Sequence, residues 1–147
     1  MRNFRLYNND ALIALLIYHV VSKKKSIDIG LIAAILPILI NDYLVNSILE
    51  HSENFLNIIA LHREQLRNYS SQFNDILPLL LDAISILMDL GLVDLVEENL
   101  TLKVTNNTLD EANSNRFRKM SKAVDLLLKD LDGKRINEIY KSLKILL

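Results

Sequence analysis

Chain breakers are scarce, and this constrains the sequence more than any other feature: 147 residues hold three glycines (Gly30, Gly91, Gly133) and two prolines (Pro37, Pro78). Glycine and proline are the residues that end helices and permit tight turns, so a chain nearly free of them has few places to reverse direction. Long helices separated at a handful of polar positions are the expected result. Half of the residues are hydrophobic in a count that omits glycine, whereas typical domains reach about 45–50% only with glycine included. The excess suggests apolar surface to spare for a partner. A chain of this length has the size of one domain and can bury roughly 70% of its unfolded surface. Residues 1–147 therefore read as a single domain, with a helical part over 1–71 and a second part over 72–147.

The breaks divide the chain as follows. Asn9 or Asp10 is a candidate N-cap for a helix running to Val21, with Lys23, Lys24 and Lys25 suiting its negative end. Its apolar residues go nearly all round, which places it at the centre of the packing. Ser26 to Gly30 opens a second helix, interrupted at Pro37, and Tyr43 to Leu49 forms a short third. Ser52 caps a fourth with Glu53 in its first turn. There Phe55, Leu56, Ile58, Ile59, Leu61 and Leu66 recur on one face, against Arg63, Glu64 and Arg67 on the other. A fifth helix covers Ile76 to Leu90, with Pro78 in its first turn and Gly91 closing it. The period then changes. Leu92 to Val96 and Leu100 to Val104 are short Val- and Leu-rich runs around Glu97-Glu98-Asn99, which reads as a β-hairpin. Asn106-Asn107-Thr108 restarts the chain, a long helix spans Leu109 to Leu131, Asp132-Gly133 breaks it, and a last helix runs from Arg135 toward Leu147. The expected fold is mainly α: a helical domain with a winged-helix-like unit, helix plus two-stranded hairpin, followed by C-terminal helices.

The formal charge is −1, so no global field draws the protein to nucleic acid or anionic lipid. The local distribution is uneven. From Asn74 to Asn99 there are six acids and no base, while Asn113 to Leu147 carries nine bases and four acids. Cysteine is absent, which removes disulfides and thiolate zinc sites and fits a reducing cytoplasm. Met1-Arg2-Asn3-Phe4-Arg5 lacks the apolar stretch of a secretion signal. The greasiest runs, Ala11 to Tyr18 and Leu31 to Ile40, fall short of the roughly 20 residues that cross a bilayer. No membrane association is expected.

A search for chemistry yields no constellation. His19, His51 and His62 lack the partner spacing of a helical metal site, and His19, on an apolar helix, reads as a satisfied core residue. Asp82 and Asp89, seven apart on an apolar helix, read as the solvated stripe of a buried rod. The three glycines are too scattered for a phosphate loop. We therefore expect no catalytic residue, metal, cofactor or small-molecule substrate. A winged helix also invites comparison with DNA-binding regulators, whose helix before the hairpin enters the major groove. Here that helix carries Asp82 and Asp89 and no base, and the hairpin sets one Lys103 against Asp94, Glu97 and Glu98. Acids facing phosphates repel them, so a protein partner is expected in place of sequence-specific DNA. The candidate partner-binding residues are the basic cluster Arg116, Arg118, Lys119 and Lys122.

Several short patterns resemble the small middle component of bacterial three-component systems built around ABC- or SMC-type ATPases, including the third subunit of Lamassu-type antiphage defence. They are Asn9-Asp10-Ala11-Leu12 ahead of the first helix, Leu36-Pro37-Ile38-Leu39 within the second, Ala83 to Leu92 before the hairpin, and Ile139-Tyr140-Lys141-Ser142-Leu143 near the end. Two departures are visible: the proline that usually follows the first Asn is missing, and Tyr18-His19-Val20-Val21 replaces the aromatic and Arg positions of relatives. The resemblance implies a non-catalytic adapter that joins an SMC-like or ABC ATPase to an effector subunit, commonly a nuclease.

Overall fold

The computed structural model describes residues 2–51, 55–109, 114–132 and 134–143. Among them the elements run α1 (Arg2–Lys24), β1 (Ser26–Asp28), α2 (Ile29–Leu39), α3 (Asp42–His51), α4 (Phe55–Leu61), α5 (Tyr69–Asp89), β2 (Val93–Val96), β3 (Thr101–Val104), α6 (Asn115–Leu131) and α7 (Ile136–Leu143). The fold is mainly α, and the second half follows the expected order of helix, hairpin and further helices.

Helix α2 is the most deeply enclosed element, with all eight residues from Ile32 to Leu39 buried. Helix α1 buries Ile13, Leu16, Ile17, Val20 and Val21 on one face at three-to-four spacing, and Leu12, Leu15 and Tyr18 outside that face are partly buried. Both helices pack against α5 and α6, which make no substantial contact with each other. Helices α5 and α6 are thus separated by α1 and α2. The buried residues from Ile13 to Leu143 form one continuous core.

The sheet holds a strand that sequence reading assigns to the opening of α2. Ser26–Asp28 is β1, and the antiparallel order is β1-β3-β2, with Ile27 opposite Leu102 and Leu95 opposite Leu102 on the other side. Three residues are too few to show the period of a strand; β1 is extended because β3 offers it partners. Asp28 then caps α2, its Oδ1 accepting from the Gly30 amide at 2.6 Å. The Ile29 amide donates across the sheet to the Leu100 carbonyl at 2.9 Å. Leu100, expected to open the second strand, stands outside it, exposed at a φ of 50°.

Helix α5 ends as its glycine suggests. The Gly91 amide donates to the Met88 carbonyl and the Leu92 amide to the Leu87 carbonyl, both at 2.9 Å, with Gly91 at a φ of 71°. This is the paired bonding of a Schellman stop. The hairpin's far end closes on the same point, since the Thr105 hydroxyl and the Asn107 side-chain amide donate to the Gly91 carbonyl at 2.6 and 2.9 Å. Asn107 serves that clasp and does not restart a helix.

Other boundaries differ from expectation for identifiable reasons. Asn9 and Asp10 lie inside α1 and do not cap it, because either residue costs only about 0.7 kcal/mol in a helix interior and neither compels a start. Helix α5 begins seven residues before Ile76, at Tyr69, and Pro78 sits in its interior with its side chain exposed. Helix α4 stops at Leu61, which is exposed, and His62 turns inward in its place. Ser52 and Glu53 lie outside the described residues, as do Gly133 and 144–147. Helix α6 starts at Asn115 under a Ser114 cap, well after Leu109.

Two substitutions at positive φ should act in opposite directions. An alanine at Gly91 meets the Asn107 Nδ2 at 3.0 Å in a left-handed conformation costing about 1–2 kcal/mol. Gly91→Ala should therefore lower the melting temperature by roughly 2–8 °C. Leu100→Gly relieves the same penalty at an exposed turn and should stabilise by about 0.5–1 kcal/mol, read from urea midpoints.

Candidate partner interface

Helix α6 carries the basic cluster and owes its orientation to one apolar stripe. The Ser114 hydroxyl accepts from the Phe117 amide at 3.0 Å, which sets the start of the helix. From there Phe117, Met120, Ala123, Val124, Leu127, Leu128 and Leu131 recur at three-to-four spacing and are buried. The intervening Arg116, Arg118, Lys119 and Lys122 are consequently all exposed.

These four residues do not act as one group. The Arg116 Nε reaches Asp42 Oδ1 of α3 at 3.3 Å, and the Lys119 Nζ donates to Asn46 Oδ1 of α3 at 3.5 Å. Both line an open groove between α3 and α6. The Arg116–Asp42 pair is solvent-exposed and contributes about 0–1 kcal/mol. Arg118 and Lys122, four apart on a different side of the helix, make no hydrogen bond or ion pair to any described residue. The structure thus divides the cluster into two residues that bridge to α3 and two that face solvent.

The rest of α6 is bound to its neighbours by its acids. Asp125 accepts from His19 Nε2 of α1 at 3.0 Å and lies 3.9 Å from Lys23 Nζ. His19 also sets its ring edge-on against Phe117 at 6.2 Å, so it is a partnered residue at the α1–α6 seam. Asp130 Oδ2 accepts from the Phe55 amide at 2.6 Å, at the start of α4, with Lys134 Nζ 3.7 Å away. His62 is buried and bonded to the Ser47 hydroxyl at 2.9 Å, while His51 is exposed. Among the described residues, no three His, Asp or Glu side chains stand where they could hold a metal ion.

The second charged surface is α5. Asp82 and Asp89 are exposed as expected, and so is Asp75. The helix is not a buried rod, however. Leu81, Ile86 and Met88 are exposed at 59, 42 and 41%, and Leu90 just past the helix end at 60%. Sequence reading missed these because an apolar residue reads as inward by default. The visible signal was breadth: Leu77, Leu79, Leu80 and Leu81 occupy more of the circumference than one buried face can take. By length and composition α5 could cross a membrane, and α2 with α3, bent by 91°, could do so as a pair.

A cavity of about 410 Å³ lies between α4, the turn that follows it, and the ends of α5 and α7, lined by Ile59, Leu66, Tyr69 and Leu143 together with Arg63 and Arg67. Burial holds the Tyr69 phenol well above its ordinary pKa of 10.0, with a smaller contribution from Tyr140. The Tyr69 hydroxyl donates to the Ala34 carbonyl of α2. Tyr140 is raised by burial and by Asp28, and its hydroxyl donates to the Gly30 carbonyl at 2.7 Å. Both phenols are structural donors to α2.

Helices enclosing α1 and α2, a small antiparallel sheet and two separate charged helix faces define a mainly α protein. The chain belongs to the family described as ABC-three component (ABC-3C) system Middle Component 3, whose model matches residues 2–147. It is a component of such a multi-subunit system. Among curated proteins and among solved structures, none matches the chain.

The raised phenols predict the pH dependence of stability. A folded pKa above the unfolded value means that their contribution is fully present below about pH 10 and is lost as pH rises through the folded values. Tyr69→Phe should lower stability at neutral pH by about 0.5–1.5 kcal/mol. It should also flatten the loss of stability that sets in above about pH 10, measured as urea midpoint against pH.

Proposed function

We infer that this chain is a non-catalytic adapter of the cytoplasm that joins an SMC-like or ABC-type ATPase to an effector subunit in a bacterial antiphage defence complex, the Lamassu kind among them. Family membership supports a place in a multi-component assembly. The observation that carries the adapter reading is the separation of its two charged faces. Acids are exposed along α5, bases along α6, and α1 and α2 lie between them. A subunit that holds two different proteins needs two surfaces of different chemistry, and complementary charge selects the partner at each.

A DNA-binding regulator is the alternative, and one observation favours it. The order α1, β1, α2 and later α5, β2, β3, with strands arranged β1-β3-β2, supports reading this part as a winged-helix module. That likeness is one of fold alone. The helix ahead of the hairpin exposes three aspartates, which repel phosphates, and the reading is therefore the weaker one.

Co-expression with the subunits encoded beside it tests the adapter directly: a stable complex is expected, and elution alone with every neighbour at micromolar concentration overturns it. Steep salt-dependent binding to duplex DNA between about 50 and 200 mM would favour the regulator instead. The division of the basic cluster sharpens the test further. Arg118→Glu with Lys122→Glu touches no hydrogen bond or ion pair among the described residues, so the melting temperature should stay within about 4 °C. The same change should remove one subunit in pull-down. Arg116→Glu with Lys119→Glu should weaken the α3–α6 contact as well, and lower the melting temperature more.

A further inference from the structure

The exposed face of α5 combines three features. Asp75, Asp82 and Asp89 recur every seventh residue, so they stand in a row about 10 Å apart. None of them forms a hydrogen bond or ion pair with a described residue, and no base occurs from Asn74 to Asn99 to offset them. Apolar side chains flank the row. Leu81 and Met88, also seven apart, lie on one side of it and Ile86 on the other, all more than 40% exposed. Only a third of the most apolar stretch of α5 is buried, where a core helix of a soluble protein is mostly buried.

Four kinds of occupant can cover an apolar helix face, and the charge row separates them. Lipid is disfavoured, since an aspartate within a membrane helix costs about 2.5–3.5 kcal/mol and there is no base here to meet anionic headgroups. Nucleic acid is repelled by every carboxylate in the row. A symmetric pairing of two copies through this face sets aspartate against aspartate, which is destabilising. A partner helix with Lys or Arg at seven-residue spacing between apolar residues satisfies both the charge and the flanks, as complementary charges beside an apolar seam do in paired helices.

We propose that the outer face of α5 is the docking surface for a basic amphipathic helix of a partner subunit, with Asp75, Asp82 and Asp89 pairing its cations and Leu81, Ile86 and Met88 covering its apolar residues. The assignment rests on the adapter reading and names the partner chemistry of one of its two faces. Asp94, Glu97 and Glu98 of the hairpin extend the acidic field past the end of α5 and steer the same partner.

The test uses the complex formed by the full chain with its neighbouring subunits. A photo-crosslinking residue at Leu81, and separately at Met88, should capture a single partner segment carrying Lys or Arg at helical spacing. Asp82→Arg with Asp89→Arg should weaken binding of that subunit at least about tenfold and leave the melting temperature nearly unchanged. Reversing the captured basic residues to Glu should restore binding to this variant. An intact complex with no crosslink at either position overturns the docking surface and leaves the adapter reading standing. So does capture of a second copy of this chain, or flotation of the chain with vesicles of neutral or anionic phospholipid. A native chain that assembles with no neighbour removes the adapter reading and this surface together.

Discussion

The architecture depends on enclosing α2. Eight consecutive buried residues leave its backbone no access to water, and Pro37 removes one amide from the middle of that stretch. The bond lost there is the one to the Ala33 carbonyl, and other elements add bonds to the helix on either side of it. They come from far along the chain. Tyr69 of α5 donates to the Ala34 carbonyl and Tyr140 of α7 to the Gly30 carbonyl, while the Ile29 amide is accepted by Leu100 beside β3. Gly30 makes the second contact possible, since a Cβ there would stand 3.3 Å from the Tyr140 hydroxyl and 3.0 Å from Asp28 Oδ1. Three later elements are therefore positioned by the needs of one early helix.

That arrangement also determines what the surface can do. With α1 and α2 holding the centre, α5 and α6 each spend one face inward and present the other outward. The outward faces differ in kind. That of α6 is mostly charged, partly engaged with α3 through Arg116 and Lys119 and with α1 through Asp125, while Arg118 and Lys122 bond to no described residue. That of α5 mixes carboxylates that bond to no described residue with exposed Leu, Ile and Met. Exposed apolar area with no compensating polar bonds is costly for a lone protein and useful to one that assembles.

The amino-acid sequence alone determined the class of fold and the list of groups available for recognition. Few breakers and apolar residues at helical spacing make helices almost unavoidable. Gly91 placed the end of α5, two short Val- and Leu-rich runs around Glu97-Glu98-Asn99 marked the hairpin, and the segregation of acids and bases was readable from position alone. Only the tertiary structure decided which of these groups are neighbours. β1 became a strand because β3 lay alongside it, and three residues carry no period of their own. α5 began at Tyr69 because packing against α1 and α2 outweighed the local signals near Pro78. Arg116 and Lys119 parted from Arg118 and Lys122 because Asp42 and Asn46, some seventy residues earlier, approach one side of α6 and not the other. Local sequence carries propensity and periodicity, whereas the partners of a side chain are set by long-range contacts, and those exist only once the core around α2 has closed.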